Sequence, residues 1–540
     1  MSRLPLFLAI VALAGCAAAP PRVEPVIALG IEGDVVETRH RGDDDLLSAG
    51  LGLDRLRQLP PPASPDADDA ELRRRAIWSS WRGIGDLRPE TMTQPLPAIP
   101  GREFSALLRL PGDRQPHRVL LQLPDGFDVQ APCLLVAPAS GSRGVYGAIA
   151  VAAPVGLPRG CAVVYTDKGA GSDFAPHGDT GVYVPHAHSG DNPEARWGEH
   201  VLAAARFGLA MLDRAGLRRQ PFTAADTRIV AVALSNGGGA VLRAAEIDRE
   251  GLLDAVVAGA PNIQPVWGPA RPLYDYATEA ALYQPCLLSH PDWRDAPFNT
   301  DELRRQGQQR CALLRAAGLL DANTARGQAQ ESLERLLASG WELPALRLAA
   351  QNVAFDLWRA VAVTYASAYG RFAPDAHPCG FSFAAVDGRG KPRVAGALEQ
   401  RLWRSDGAGI PPTAGIALVD PHAAGDDAAL PGLMCLRRLW QDEGPDGERV
   451  RAGIQATRAS GRPLTAAVTV LHGRDDGLVP VAFTSRPWVA SARDQGAAVE
   501  YRELEAVQHF DAFLPFPAMA GYRPLLPAVW QALEATLDRP

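Results

Sequence analysis

The run Ile229-Val-Ala-Val-Ala-Leu234 passes without a break into Ser235-Asn-Gly-Gly-Gly239 and then into an Ala-rich stretch from Ala240 to Asp248. Six apolar residues are strand length, and apolarity throughout marks a strand covered on both faces. A turn of small residues leading directly into a helical pattern leaves one simple geometry, a sharp strand-to-helix turn with Ser235 at its crest. Ala233 and Gly237 supply the small flanks that such a turn needs. The following helix puts the positive end of its dipole beside the serine, and the Asn236 N–H can face a developing negative charge. Taken alone, the segment also fits a phosphate-binding turn or an ordinary helix cap.

Similar short apolar runs recur at 118–123, 133–137, 162–165, 255–259, 466–471 and 499–504. Helical patterns alternate with them, notably 194–212, where Trp197, Val201, Ala205 and Leu209 share a face, and 525–537. Strands alternating with helices predict an open α/β sheet, mostly parallel, with its ligand site at the carboxyl ends of the strands. The interval 262–463 interrupts that alternation with helical stretches at 303–320, 324–337 and 346–368, then a Gly- and Pro-rich region. It reads as a large, mainly helical insertion where a lid over the site would sit, dividing the catalytic domain into 77–261 and 464–540. An independent second domain is the alternative. Residues 17–76, rich in Pro, Asp and Ala, read as a tether whose acidic clusters at Asp43 to Asp45 and Asp68 to Asp69 are solvated.

At its start the chain carries Arg3, an apolar run from Leu4 to Ala14 and then small residues, the order of an export signal over residues 1–16. The run is shorter than the ~20 residues a membrane span needs. Leu13-Ala14-Gly15-Cys16 resembles a lipoprotein processing site with Cys16 as the acylated residue, so lipid anchoring in the cell envelope is expected, with simple secretion as the alternative. Six of the seven cysteines then remain, an even number suited to disulfides in an oxidising compartment. Sequence proximity favours Cys286 with Cys311 and Cys379 with Cys435. A formal net charge of -7 gives no reason to expect nucleic acid as a partner, and a small neutral or weakly charged substrate is unobstructed.

Two more segments fit the serine turn. After the run ending at Leu471 comes His472-Gly-Arg-Asp-Asp476-Gly-Leu-Val479-Pro480, and after the run ending at Leu504 comes Glu505-Ala-Val-Gln-His509. The order Ser, Asp, His along the chain is that of α/β-hydrolases. Asp476 is the expected acid, with Asp475 the less favoured neighbour and His472 positioning the loop. His509 would take the Ser235 proton while Asp476 holds its imidazole. The small-residue loop Ser140 to Gly147 supplies a second oxyanion donor, with Gly141, Ser142 and Arg143 as candidates beside Asn236. Arg143 could instead bind a substrate carboxylate or pair with an Asp. Asp167 and Lys168 form an internal ion pair or touch substrate. His186 and His188 have chelating spacing but no convincing third ligand, so no metal and no cofactor is expected, and Asp191 or Asn192 is read as a helix cap.

Together, Ser-Gly-Ser-Arg-Gly-Val-Tyr-Gly-Ala-Ile at 140–149, Gly-Cys-Ala-Val-Val-Tyr-Thr-Asp-Lys-Gly at 160–169, His-Ala-His-Ser at 186–189 with Asn-Pro-Glu at 192–194, Ser-Asn-Gly-Gly-Gly at 235–239 and Gln-His-Phe-Asp-Ala-Phe at 508–513 resemble the D-3-hydroxybutyrate-oligomer hydrolases. The resemblance spans roughly residues 100 to 515. It implies a serine esterase that cleaves soluble hydroxybutyrate oligomers to monomers in polyhydroxybutyrate breakdown, with Ser235 matching the nucleophile. Arg143 is then a candidate for the terminal carboxylate. Tannase- or feruloyl-esterase-like activity, and a catalytically silent lipid-anchored binding protein, are the competing readings.

Overall fold

The computed structural model describes residues 29–171, 182–406, 415–465 and 467–539. The signal-like segment and Cys16 lie outside the described residues. In chain order the strands are β1 (Ile31–His40), β2 (Gly101–Leu108), β3 (His117–Pro124), β4 (Cys133–Pro138), β5 (Ala162–Thr166), β6 (Arg228–Leu234), β7 (Ala255–Gly259), β8 (Ser382–Val386), β9 (Pro392–Arg393), β10 (Ile416–Val419), β11 (Ala467–Gly473) and β12 (Val499–Leu504). Nine form one sheet in the order β1-β2-β3-β5-β4-β6-β7-β11-β12. From β5 to β12 every neighbouring pair is parallel, and β1, β2, β3 and β5 pair antiparallel.

Each apolar run singled out in the sequence is a strand of this sheet. The central ones are buried along nearly their whole length because helices cover both faces. On one face Trp197–Arg214, Asn236–Ile247 and Ser485–Asp494 bury Trp197, Phe207 and Trp488. On the other, Asp69–Ile84, Ile149–Gly156 and Leu526–Leu537 bury Trp81, Ile149 and Val529. A mostly parallel sheet between helical layers, with a serine turn after β6 and an insertion after β7, is the α/β-hydrolase architecture.

The described part of the segment expected to be a tether is folded. Residues 31–40 pair with β2, and Leu46, Leu47, Leu53 and Leu56 are buried in the core below the sheet. The strand is hidden in the sequence because it lies at the sheet edge with most of its side chains exposed, so pairing leaves no hydrophobic alternation. Nor are the acidic clusters simply solvated. Buried Asp45 accepts hydrogen bonds from the Leu47, Ser48 and Gly50 amides, and Asp68 caps the helix Asp69–Ile84 by accepting from Glu71 N.

Glu103 on β2 anchors this segment to the sheet. Its carboxylate accepts two hydrogen bonds from Arg73, at 2.9 and 2.8 Å, and others from Tyr146 Oη at 2.6 Å and Gln122 Nε2 at 2.8 Å. His40 Nε2 lies 3.3 Å away, and Asp44 takes the remaining face of Arg73. Burial pushes the Glu103 carboxyl up, but the Arg73 charge and the His40 hydrogen bond outweigh it and hold it well below the usual carboxylate range. Burial pulls His40 down, and Glu103 more than restores it, leaving it raised.

Between β7 and β11 the insertion is mainly helical, with a small sheet in the order β10-β8-β9. The single helix expected over 346–368 is two, Leu343–Ala354 and Leu357–Gly370, because Asp356 takes a left-handed φ of 51° that turns the chain. Cys286 bonds Cys311 and Cys379 bonds Cys435, as sequence proximity suggests, while Cys133–Cys161 joins the starts of neighbouring β4 and β5. The insertion is stitched to the catalytic domain: Asn352 Nδ2 donates to Gly477 O at 2.9 Å and Tyr276 Oη to Leu478 O at 3.2 Å.

Removing one partner of a buried pair leaves the other uncompensated, so Glu103→Gln should lower unfolding free energy by about 3 kcal/mol. Glu103, with its lowered folded pKa, contributes fully above its unfolded value of 4.5 and loses that contribution as pH falls. His40, with its raised pKa, contributes fully below 6.5 and loses that contribution as pH rises through its folded value. Urea unfolding across pH should therefore show the largest gap between wild type and variant between about 4.5 and 6.5, narrowing on both sides. A gap independent of pH would contradict this account.

Candidate active site

Ser235 sits at φ 58°, ψ −124°, a conformation that L side chains rarely adopt, at a typical cost of ~1–3 kcal/mol. Its backbone is held on both sides: Ser235 N donates to Gly259 O at 2.9 Å, and Asn262 N donates to Ser235 O at 3.0 Å. The small flanks have a steric reason. A Cβ at Gly237 would come within 2.5 Å of Pro138 O and 2.8 Å of the Ala233 Cβ, and one at Gly239 within 1.9 Å of Asn262 O.

His509, on the loop after β12, places Nε2 3.0 Å from Ser235 Oγ and Nδ1 2.7 Å from Asp476 Oδ2. Asp476 is fully buried. Its Oδ1 accepts from the amides of Leu478 at 2.9 Å and Val479 at 2.7 Å, and Oδ2 also lies 3.2 Å from His472 Nε2. Burial raises the Asp476 carboxyl, but the His509 charge and the two histidine hydrogen bonds outweigh it, so its pKa is lowered. An ionised Asp476 accepts N–H from both rings, which leaves His509 Nε2 as the acceptor for the Ser235 hydroxyl. His472 Nδ1, 2.7 Å from Ser485 Oγ, is thereby fixed as a second support of the acid. Asp475, the alternative acid, is only half-buried and is not hydrogen-bonded to His509. The His509 loop is tied down by Asp511, which accepts from the amides of Leu525 and Leu526 at the start of the last helix. Burial pushes that carboxyl up to about 7 against these donors.

Ser235 and His509 open onto a cavity of about 90 Å³. Gly141, Ser142, Arg143 and Asn236, the four oxyanion and substrate candidates, all line it, and its walls are apolar, including Leu273, Val361, Val479 and Phe510. The amides of Ser142 and Asn236 have no acceptor among the described residues. Arg143 is buried and donates from Nη2 to Gly83 O at 3.0 Å. Three residues that sequence reasoning does not place at the site are here. Tyr365, from the insertion helix Leu357–Gly370, accepts from Asn236 Nδ2 at 2.5 Å, while Asn262 Nδ2 donates to Asn236 Oδ1 at 3.0 Å. His186 lies 2.7 Å from Ser142 Oγ and stacks on the Tyr365 ring at 5.6 Å.

His188 does not join His186. Its Nδ1 accepts from Val184 N, and among the described residues no group of three or more His, Cys, Asp or Glu could hold a metal. The helix-cap reading of Asp191 and Asn192 is corrected: Asp191 accepts from the Arg114 and Gln115 amides, and Asn192 Nδ2 donates to Gly453 O of the insertion at 2.9 Å. Both side chains serve long-range contacts, which local sequence does not reveal.

The 3HB-oligomer hydrolase family model matches residues 16–184 and 172–538. A D-(-)-3-hydroxybutyrate oligomer hydrolase of Paracidovorax citrulli (strain AAC00-1) is 35% identical over 89% of this chain and 82% of its own length. One from Cupriavidus metallidurans (strain CH34) is 34% identical over 95% and 84% respectively. Among solved structures, feruloyl esterase B from Aspergillus oryzae is 13% identical with a TM-score of 0.35, covering 76% of this chain and 75% of that one. A ligand-bound form of the rice cell wall degrading esterase LipA from Xanthomonas oryzae is 12% identical with a TM-score of 0.36, covering 82% and 90%.

The backbone at Ser235 is one that glycine adopts without strain. Ser235→Gly should therefore be more stable in urea than Ser235→Ala by about 1 kcal/mol, reversing the usual penalty for glycine, although both lack the hydroxyl. Equal stabilities, or a more stable alanine variant, would count against strain at the turn.

Proposed function

The chain belongs to the 3HB-oligomer hydrolase family, and from that membership we propose that it cleaves the ester bonds of D-3-hydroxybutyrate oligomers with Ser235 as nucleophile. The observation that carries this reading is the unbroken line from Asp476 through His509 to Ser235, with 2.7 and 3.0 Å steps, at a cavity lined by Ser142 and Asn236, whose amides have no acceptor among the described residues.

In this mechanism His509 Nε2 takes the Ser235 proton as Oγ attacks the ester carbonyl, and Asp476 stabilises the imidazolium. The Asn236 and Ser142 amides receive the oxyanion. His509 then protonates the departing alkoxide, the hydroxyl of the next monomer, as the tetrahedral intermediate collapses to an acyl-enzyme. Water, deprotonated by the same imidazole, attacks that acyl group, and the second tetrahedral intermediate expels Ser235 Oγ, which takes the proton back from His509 as the second acid is released. The apolar walls suit a methyl-bearing chain, and Arg143 is the permanent cation among the lining residues, suited to the carboxylate of a free-acid oligomer.

We place the protein outside the cytosol, anchored through an acylated Cys16. The disulfides Cys133–Cys161, Cys286–Cys311 and Cys379–Cys435 support this, since such bonds persist in oxidising compartments.

Kinetics on hydroxybutyrate trimer, its methyl ester and feruloyl and galloyl esters test the reading. Ser235→Ala should lose fluorophosphonate labelling, and Asp476→Asn should lower kcat about 10⁴-fold by fixing the wrong His509 tautomer. Arg143→Ala should raise KM for the free-acid trimer about tenfold and leave the methyl ester alone, as loss of a charge-assisted hydrogen bond worth ~1.5 kcal/mol implies. Absence of labelling in wild type, or faster turnover of feruloyl or galloyl esters, would overturn the assignment.

For the anchor, the wild type expressed in a diderm bacterium should partition with membranes and carry a lipid mass at Cys16, whereas Cys16→Ser should be soluble or unprocessed. An unmodified Cys16 in the mature protein would exclude lipid anchoring.

A further inference from the structure

Lys168 follows β5 at the carboxyl edge of the sheet, and among the described residues it is the largest charged side chain that the chain buries completely. Its backbone takes a left-handed φ of 50°, which a lysine adopts only where surrounding contacts hold it. The ammonium donates to Gly141 O at 2.6 Å and lies 5.5 Å from the centroid of the Trp197 ring. That hydrogen bond goes to a carbonyl, although carboxylates are near. Asp167 receives the Gly169 amide and Glu194 the Tyr369 hydroxyl.

The Gly141 carbonyl and the Ser142 N–H belong to one planar trans peptide and point in opposite directions across it. A cation that holds the carbonyl on the buried side turns the N–H to the other side, where Ser142 lines the cavity with Ser235 and its amide has no acceptor among the described residues. Charge behind the carbonyl also polarises the peptide and makes its N–H a stronger donor. We propose that Lys168 is a positioning residue of the hydrolytic reaction, which through the Gly141 carbonyl orients and strengthens the Ser142 N–H as an oxyanion donor.

This rests on the hydrolase reading above and adds to it a residue that touches no substrate. Because the oxyanion exists only at the tetrahedral stage, the contribution falls on kcat and spares ground-state binding. It also depends on the ammonium staying charged. Burial pushes its pKa down to about 7, Asp167 and Glu194 pull it up, and Arg143 pushes it down. His186 and His200, which also face it, are held neutral by burial.

The experiment compares wild type, Lys168→Met and Lys168→Arg for kcat and KM on the trimer, and for affinity toward a boronic acid that forms a tetrahedral adduct on Ser235. For Lys168→Met we expect kcat about 10–100-fold lower, somewhat less than loss of a whole oxyanion donor, with KM within about twofold. Boronate affinity should fall by a similar factor, and Lys168→Arg should recover part of the loss. Should the variants not fold, wild type alone still reports: its kcat should decline in mildly alkaline solution whatever the leaving alcohol. Unchanged kcat in Lys168→Met, a loss confined to KM with boronate affinity intact, or a wild-type kcat level to about pH 10 would overturn the proposal. Failure of the wild type to take up fluorophosphonate would instead overturn the hydrolase reading, so the two failures are told apart.

Discussion

The site depends on a backbone conformation that the chain would not choose locally. Ser235 stands in a glycine-like region of φ and ψ because its own N–H and C=O are bound to Gly259 and Asn262, at and just beyond the end of the neighbouring strand β7. Those bonds exist only once β6 and β7 are paired in register and the helix Asn236–Ile247 is packed on the sheet. The free energy of burying that helix offsets the strain, and the strain lifts the hydroxyl clear of the backbone toward His509. Chemistry at this turn is therefore inseparable from the packing beneath it.

The same logic extends outward in layers. Asp476 and His509 arrive on loops after β11 and β12, and each is fastened in place: the acid by His472 and the amides at 478–479, the base by Asp511, which binds the start of the last helix. The oxyanion loop is fastened by Lys168 and His186. Left-handed conformations at Lys168, His186 and Ser235 all fall in this one region, as expected where preorganisation of a polar site outweighs local preference.

Much of this is legible in the sequence, and for a definite reason. Central strands buried on both faces must be apolar throughout, so β4, β5, β6, β7 and β11 announce themselves, and the triad follows because its members must sit where those strands end. The edge strand β1 gives no such signal, since exposed side chains and backbone pairing leave no pattern, and so the folded part of the segment reads as a tether. Tyr365 is invisible for the opposite reason: on an insertion helix a buried tyrosine looks like any core aromatic, and only the fold brings its hydroxyl to Asn236. His186 carries a visible signal, the His-x-His spacing, that points to a metal, whereas its ring actually supports Ser142.

The insertion, placed by sequence as a lid, has contacts that limit how it can act as one. Asn352 and Tyr276 hold the carbonyls of Gly477 and Leu478 directly after Asp476, Tyr365 holds Asn236 directly after Ser235, and Asn192 reaches the carbonyl of Gly453. Two disulfides lie within it. A rigid swing of the whole insertion would release both the acid loop and the serine turn, dismantling the arrangement it covers. Access compatible with an intact triad must come from smaller movements at the rim. Phe510 lines the cavity and packs on Phe513, which joins Phe298, Phe355 and Phe516 in a cluster of rings from both parts of the chain, with Phe355 and Phe516 exposed. Rings packed edge to face can slide at small cost, since separating one such pair forfeits only ~0.5–1.5 kcal/mol beyond its buried area, whereas a broken Asp476 loop would remove the charge stabilisation on which the imidazole depends.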